Sequence, residues 1–115
     1  MHELSIALSI IEGAQSEAEL QGGGRVTGVH MRLGPLSGVV RESLVFAYEV
    51  ACEGTPLQGS KLIFQESAVQ IFCPDCGEAR PPVSARQLQC SVCGAPAREL
   101  VSGAELELVA LELES

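Results

Sequence analysis

Two short motifs decide the architecture of this chain, Cys73-Pro-Asp-Cys76-Gly77 and Cys90-Ser-Val-Cys93-Gly94. Both are copies of Cys-x-x-Cys-Gly, and a gap of two residues lets both thiolates of one motif face a single cation. The glycine that follows permits a tight turn, which brings backbone N–H groups toward sulfur. The stretch between the motifs is long enough for a short hairpin that presents one cysteine pair opposite the other. We therefore predict one site made by all four cysteines.

Zinc is the ion that this site favours. The segment from 73 to 97 is rich in proline and too small to bury a core, so bound metal must supply its folding energy, on the order of 10 kcal/mol or more. The alternatives are two disulfides, which a reducing compartment disfavours, and a rubredoxin-type iron site, which the near absence of aromatic residues disfavours. Four sulfurs close the shell of a tetrahedral zinc ion and leave no position for a substrate. We therefore predict a structural zinc site, with these ligands: Cys73, Cys76, Cys90 and Cys93.

Regular elements are predicted on both sides of the motifs. Apolar residues at helical spacing predict a helix over 4–20, whose buried face is expected to hold Leu4, Ala7, Leu8, Ile11, Ala14 and Ala18, widened by Ile10. Alternation predicts a strand over 25–33, and a second helix is expected from about Val40 to Cys52. Cys52 is expected to be a small core residue, not a ligand.

Downstream of the second helix, residues 61–72 are expected to be extended, with a bend near 66–68. Residues 104–114 are predicted to form a strand. Its apolar residues switch from one face to the other along the strand, which a bulge near Leu108 or burial on both faces would explain. The cysteine segment is thus expected to be a loop-rich insertion between two strands of a main domain.

The overall composition excludes several classes of protein. The formal net charge is -8, with 15 acidic against 7 basic side chains, and the basic residues are scattered singly. A polyanion such as nucleic acid would be repelled by this balance. No stretch approaches the roughly 18 apolar residues of a membrane span, and the start of the chain lacks the basic residues of a secretory signal. We expect a cytoplasmic protein.

The N-terminus, Met1-His2-Glu3, holds a second set of metal donors. The α-amine, the deprotonated amide nitrogen of His2 and its imidazole can close linked chelate rings on one ion, and the Glu3 amide is the next donor in line. Nitrogen donors in a planar or tetragonal arrangement suit Ni(II) or Cu(II) better than zinc or magnesium. Taken alone, the signal is weak, because a histidine near a terminus is usually a solvated residue. His30 is expected to be a surface histidine on the polar face of the 25–33 strand, beside Arg32.

The sequence as a whole resembles the hydrogenase maturation nickel metallochaperones of the HypA/HybF family. The resemblance covers essentially the whole chain and rests on the order and spacing of several segments. They are Met1-His2-Glu3 leading into a helix, Arg25-Val-Thr-Gly-Val29, Leu33-Gly-Pro-Leu-Ser-Gly38, Glu42-Ser-Leu-Val-Phe-Ala-Tyr48, Gly59-Ser-Lys-Leu62 and the paired cysteine motifs.

The resemblance implies an α+β fold, with two helices packed on a three-stranded sheet and an inserted zinc-ribbon domain. The corresponding domain bounds are 1–68 with 99–115 for the nickel domain and 69–98 for the ribbon. It further implies Ni²⁺ held by Met1, His2 and Glu3, with the Glu3 side chain influencing the site from outside it, and Zn²⁺ held by the four cysteines. The implied partners are the GTPase HypB and the large-subunit precursor of NiFe hydrogenase. Some members also serve urease maturation.

A different class of function remains to be weighed against nickel delivery. Zinc ribbons commonly act as adaptors that bind nucleic acid or transcription machinery, but the negative charge and the isolation of Arg80 and Arg86 argue against this alternative. An enzymatic function finds no support. The sequence shows no Ser/His/Asp set, no phosphate-binding loop and no open metal site beside a base. We expect a protein without catalytic turnover.

Overall fold

A computed structural model of the chain describes residues 3–84 and 86–114. This part contains two helices and eight strands, in the order α1 Glu3–Leu20, β1 Arg25–Leu33, α2 Arg41–Cys52, β2 Lys61–Glu66, β3 Gln70–Cys73, β4 Glu78–Arg80, β5 Pro82–Ser84, β6 Gln87–Cys90, β7 Glu99–Ser102 and β8 Leu106–Glu114. The predicted bounds of both helices and of β1 are confirmed to within one residue. Neither described helix is long and apolar enough to cross a membrane.

The chain divides into two compact units. The first unit comprises 1–32, 39–65 and 107–115, and the second comprises 33–38 and 66–106. The second unit therefore takes in 33–38, 66–68 and 99–106, which the expected bounds give to the nickel domain. The assignment of 1–68 with 99–115 and of 69–98 as domains stays a prediction.

In the first unit, β1 is the central strand of a three-stranded sheet with the order β2-β1-β8. Helices α1 and α2 pack against each other. Among the described residues of this unit, the buried apolar side chains are small or aliphatic except for Tyr48, and Ser60 is buried with them. The apolar ones are Ala7, Ile10, Ile11, Ala14, Ala18, Val26, Val29, Met31, Leu44, Ala47, Tyr48, Cys52 and Leu57. The expected fold class, two helices with a three-stranded sheet, is confirmed, as is the core position of Cys52.

The expected buried face of α1 is partly wrong. Leu4 and Leu8 are 53% and 49% exposed, whereas Ile10, placed at the margin of the face, is buried. The contact surface of the helix is thus rotated toward Ile10. Alanines occupy much of this surface, and their small side chains permit a close approach of neighbouring elements.

The change of apolar face predicted for the last strand is seen in its burial pattern, because Leu108 and Leu111 are half-buried and the two residues between them, Val109 and Ala110, are both exposed. His30 and Arg32 share one face of β1 and pair with Glu112 and Glu107 of β8, at 3.2 and 3.6 Å. These two glutamates lie an odd number of positions apart, which favours a bulge between them. Val109 is exposed, which rules out burial on both faces.

The expected extended run over 61–72 is two strands, which separate at the bend expected near 66–68 and belong to different sheets. β2 joins the sheet of the first unit, whereas β3 is the central strand of a second sheet with the order β4-β3-β7. Both neighbours of β3 are antiparallel to it. A separate hairpin of β5 and β6 completes the second unit. The buried residues of this unit are few, and among the described ones they are Leu33, Gly34, Ile71, Cys73, Cys90 and Gly103.

Candidate metal centre

The four predicted cysteine ligands come together in the second unit. Their Sγ atoms all lie within 4.8 Å of one another, and no other group of three or more His, Cys, Asp or Glu ligand atoms converges in this way among residues 3–84 and 86–114. Two sulfur–sulfur contacts run between the motifs, at 3.4 Å from Cys73 to Cys93 and at 3.9 Å from Cys76 to Cys90. Each motif therefore contributes a pair of sulfurs that faces the other pair.

Each motif closes a hairpin of the same design. Cys73 ends β3 and pairs with Glu78 at the start of β4. In the second motif the N–H of Cys90 donates to the carbonyl of Ala95, and that of Ala97 donates to the carbonyl of Leu88. Backbone pairing on both sides of each motif, between β3 and β4 for the first and through the bridge of Gln89 with Pro96 for the second, fixes where its cysteines lie. In addition, β3 contacts β6. The chain thus folds back twice to bring the sulfurs to one point.

The glycine after each motif has the role that the sequence predicts. Gly77 and Gly94 have φ of +72° and +76°, a conformation that residues with a β-carbon rarely adopt. Each donates its N–H to the carbonyl of the first cysteine of its motif, at 2.8 Å. The turn also directs backbone N–H groups at sulfur, from Cys76 to Cys73 and from Cys93 to Cys90. Such donors stabilise thiolate, the form of cysteine that binds metal.

The electrostatics of Cys90 show this effect most clearly. The backbone N–H of Cys93 lowers the pKa of the Cys90 thiol to about 6, and that of Val92 acts in the same direction. The two N–H groups lie 3.5 and 3.4 Å from the sulfur. Cys90 is thereby prepared to ligate a cation at neutral pH.

The sulfur geometry fits a tetrahedral zinc ion. Zinc–sulfur bonds of about 2.3 Å place the corners of a tetrahedron about 3.8 Å apart, between the two sulfur–sulfur distances of 3.4 and 3.9 Å given above. A disulfide would require about 2.05 Å, and all five cysteines are free. Phe72, beside Cys73, is the single aromatic residue of the second unit, so the surroundings also lack the aromatic character expected of a rubredoxin-type site.

The sequence does not predict the charged pair, Arg80 and Glu78, that lies beside the sulfurs. The Arg80 guanidinium acts to lower the pKa of the Cys76 thiol and forms a 2.6 Å ion pair with Glu78. Both residues follow the first motif on β4, two positions apart, and the alternation of a strand would have placed them on one face. Arg80 was noted in the sequence only as an isolated basic residue, because its distance from the thiolates depends on the pairing of β3 with β4.

The predicted nickel ligands fall mostly outside the described residues. Met1 and His2 lie there, and Glu3 is the first residue of α1. The other histidine, His30, is partly exposed on β1, and its Nε2 lies 3.2 Å from Glu112 Oε1. It shares a face with Arg32, as expected.

Comparison with known proteins agrees with this arrangement. A family model described as "Hydrogenase/urease nickel incorporation, metallochaperone, hypA" matches residues 1–113. The "Hydrogenase maturation factor HypA" of a Roseiflexus species is 47% identical over 114 residues, which cover 99% of this chain and 93% of the relative. The protein of the same name from Chloroflexus aurantiacus is 46% identical over 112 residues, or 97% of this chain and 98% of the relative.

A solved structure shows the same fold. The solution structure of the Ni metallochaperone HypA from Helicobacter pylori superposes with a TM-score of 0.74 at 24% identity and covers 98% of this chain and 97% of that one. None of these matches is an adaptor for nucleic acid or transcription machinery. The four-sulfur site, the fold and the match from residue 1 to residue 113 agree, and this chain belongs to the HypA family of metallochaperones for nickel incorporation and hydrogenase maturation.

Proposed function

We propose that this protein is a nickel metallochaperone, which binds Ni(II) at its N-terminus and delivers it for maturation of NiFe hydrogenase. Its four-cysteine site holds a structural zinc ion. The observation that carries the proposal is membership of the HypA family over a match that begins at residue 1 and so includes Met1-His2-Glu3.

The start of α1 supports Glu3 as part of the nickel site. The first N–H groups of a helix have no partner within the helix, so the Glu3 amide nitrogen is not used by α1. The positive end of the helix dipole would repel a bare cation. Deprotonated amide nitrogens, which carry negative charge, offset that repulsion, and with the α-amine of Met1 and the imidazole of His2 they make a nitrogen-rich site suited to Ni(II).

The four-cysteine site supports a structural role for zinc. Few residues of the second unit are buried, and two of them are the ligands Cys73 and Cys90. A unit with so small a core needs another source of stability, and zinc bound by four thiolates supplies folding free energy directly. With its shell closed by sulfur, the ion has no open position for chemistry.

The partners follow from the family and from the chemistry of delivery. A carrier must release its ion to a recipient, and the proposed recipient is the large-subunit precursor of the hydrogenase, with the GTPase HypB acting in the same step. Urease maturation is a further process that the family description names. Two features disfavour nucleic acid as a partner, the net charge of -8 and the engagement of Arg80 by Glu78 and Cys76.

A nickel titration of protein with its native N-terminus tests the proposal. The chain has two histidines, which provide a matched pair of variants. We expect His2→Ala to abolish tight nickel binding and His30→Ala to retain it, both with unchanged zinc content. A protein extended by one residue before Met1 should also lose tight binding, because its amine is displaced.

Two results would contradict the nickel site. One is nickel affinity retained by His2→Ala or by the extended protein. The other is a nickel-loaded spectrum dominated by sulfur-to-nickel charge transfer, which would place the ion at cysteines. In either case the ligands lie elsewhere in the chain.

The zinc site is tested separately. Cys76→Ser should lose zinc and unfold the second unit, while circular dichroism at 222 nm stays close to wild type, because both described helices belong to the first unit. Cys52→Ser is the matched control, since this cysteine lies outside the cluster and should leave the zinc content unchanged. Zinc retained at full occupancy by Cys76→Ser would refute the ligand set.

A further inference from the structure

Strand pairing places the exposed Glu78 and the half-buried Arg80 on the face of the second sheet that carries Ile71 and Cys73. Residues directly opposite each other in an antiparallel pair share a face, and here Cys73 lies opposite Glu78 while Ile71 lies opposite Arg80. Ile71 and Cys73 are buried. The register of β3 and β4 therefore aligns Arg80 with the buried, sulfur-bearing side of the sheet.

The contacts of Arg80 show a side chain shared between two anions. Its guanidinium acts to lower the pKa of the Cys76 thiol and so favours the thiolate, and its Nη2 lies 2.6 Å from Glu78 Oε1. Its Nε is buried and has no hydrogen-bond partner among the described residues. A buried guanidinium N–H without an acceptor costs free energy. Because the Nε–H of Arg80 makes no other hydrogen bond within 3–84 and 86–114, it remains able to donate to a sulfur.

The net charge of a metal-loaded four-thiolate site gives a positively charged neighbour such as Arg80 a role. Four thiolates around a divalent ion carry two net negative charges, and few basic residues are available to balance them. The basic residues of the second unit are Arg80, Arg86 and Arg98, and the latter two are exposed. Hydrogen bonds and positive charge from residues around a metal site commonly change its affinity by 10–100-fold.

We propose that Arg80 is a positioning residue of the four-cysteine site, which stabilises the loaded thiolates by charge and hydrogen bonding, and that Glu78 limits this effect by competing for the same guanidinium. The proposal rests on the zinc site proposed above. It assigns opposite effects to two neighbouring residues. Loss of Arg80 weakens zinc binding, and loss of the Glu78 charge strengthens it.

Chelator competition at fixed pH and ionic strength measures these effects. We expect Arg80→Gln to bind zinc about tenfold more weakly than wild type, and Arg80→Lys to recover part of the loss because it keeps the charge. Glu78→Gln should bind zinc more tightly, and its gain should shrink when combined with Arg80→Gln. Arg98→Gln, which removes the same charge from an exposed position of the second unit, is the control and should match wild type.

The cobalt-loaded protein gives a readout that altered packing alone would not produce. A hydrogen bond to a thiolate lowers the energy of its sulfur electrons, so the sulfur-to-cobalt charge-transfer band lies at higher energy when the bond is present. We expect Arg80→Gln to shift this band to longer wavelength and Arg98→Gln to leave it in place.

The outcomes separate this inference from the zinc site itself. If wild-type protein binds no zinc, the zinc site and the inference both fail. If wild type binds zinc but Arg80→Gln matches Arg98→Gln in affinity and spectrum, only the inference fails. It also fails if Arg80→Gln and Glu78→Gln change the zinc affinity in the same direction. If Arg80→Gln does not fold, the zinc affinity of Arg80→Lys is compared with that of Glu78→Gln instead.

Discussion

A buried hydroxyl pair in the first unit yields a prediction whose size follows from the structure. Tyr48 of α2 is 1% exposed, and its hydroxyl lies 2.7 Å from Ser60 Oγ. Ser60 donates its single hydroxyl proton to the carbonyl of Leu57, at 2.5 Å. Tyr48 must therefore be the donor in the Tyr48–Ser60 bond, and Ser60 the acceptor.

This assignment makes the two truncations unequal. Tyr48→Phe removes a donor and leaves Ser60 bonded to Leu57, so we expect a loss of about 1 kcal/mol in the free energy of unfolding. Ser60→Ala leaves the tyrosine hydroxyl buried without a partner oxygen, at a cost of about 2 kcal/mol. The carbonyl of Leu57 loses less, because it still accepts the backbone N–H of Ser60.

The double variant provides the decisive measurement. With both hydroxyls gone, no donor is left unpaired, so the double variant should lose about 1.5 kcal/mol rather than the sum of about 3 kcal/mol. Urea unfolding followed at 222 nm reports on the first unit, because both described helices belong to it. Strictly additive losses, or a larger loss for Tyr48→Phe than for Ser60→Ala, would refute the assigned direction of the bond.

Three further predictions concern single positions. Burial raises the pKa of Tyr48 well above its usual value, so wild type should lose stability relative to Tyr48→Phe as the pH rises above about 10, in urea titrations at stepwise increasing pH. Val40, the N-cap of α2, makes no side-chain cap bond and is 54% exposed, so Val40→Asp should stabilise the first unit by about 1 kcal/mol in the same assay. A β-carbon at Gly34 would overlap the carbonyl oxygen of Gly103, whereas one at Gly13, inside α1, meets nothing closer than 3.9 Å. Calorimetry should therefore show Gly34→Ala destabilised by more than about 4 kcal/mol and Gly13→Ala stabilised by up to about 1 kcal/mol, and equal melting temperatures would contradict this.

The features that the sequence predicts well are those that neighbouring residues determine. Gly22, Gly23 and Gly24 all have positive φ and end α1 where expected. The spacing within each cysteine motif fixes two sulfurs on one turn, and the glycine that follows completes it. These elements need no information from elsewhere in the chain, which is why their bounds and their glycine turns were predicted almost to the residue.

The features that the sequence misses depend on residues far apart in the chain. The sequence predicts the bend within 61–72 but not that the two halves join different sheets, because only pairing with β1 on one side and with β4 and β7 on the other makes that division. The exposure of Leu4 and Leu8 likewise depends on which side of α1 its neighbours occupy. The placement of 33–38 in the second unit comes from bonds such as Leu36 to Gly103, at 2.7 Å. Helical or strand periodicity carries no information about such contacts.

The strand order of the first sheet has a consequence for how quickly the sheet can form. β1 pairs with both β2 and β8, and the Thr27 hydroxyl donates to the carbonyl of Glu112, 85 positions further along the sequence. Contacts between residues so far apart form slowly, because the long loop between them must first be closed. The two helices and the cysteine turns need only near neighbours and can form sooner. Pairing of β1 with β8 is therefore expected to be a late step of folding.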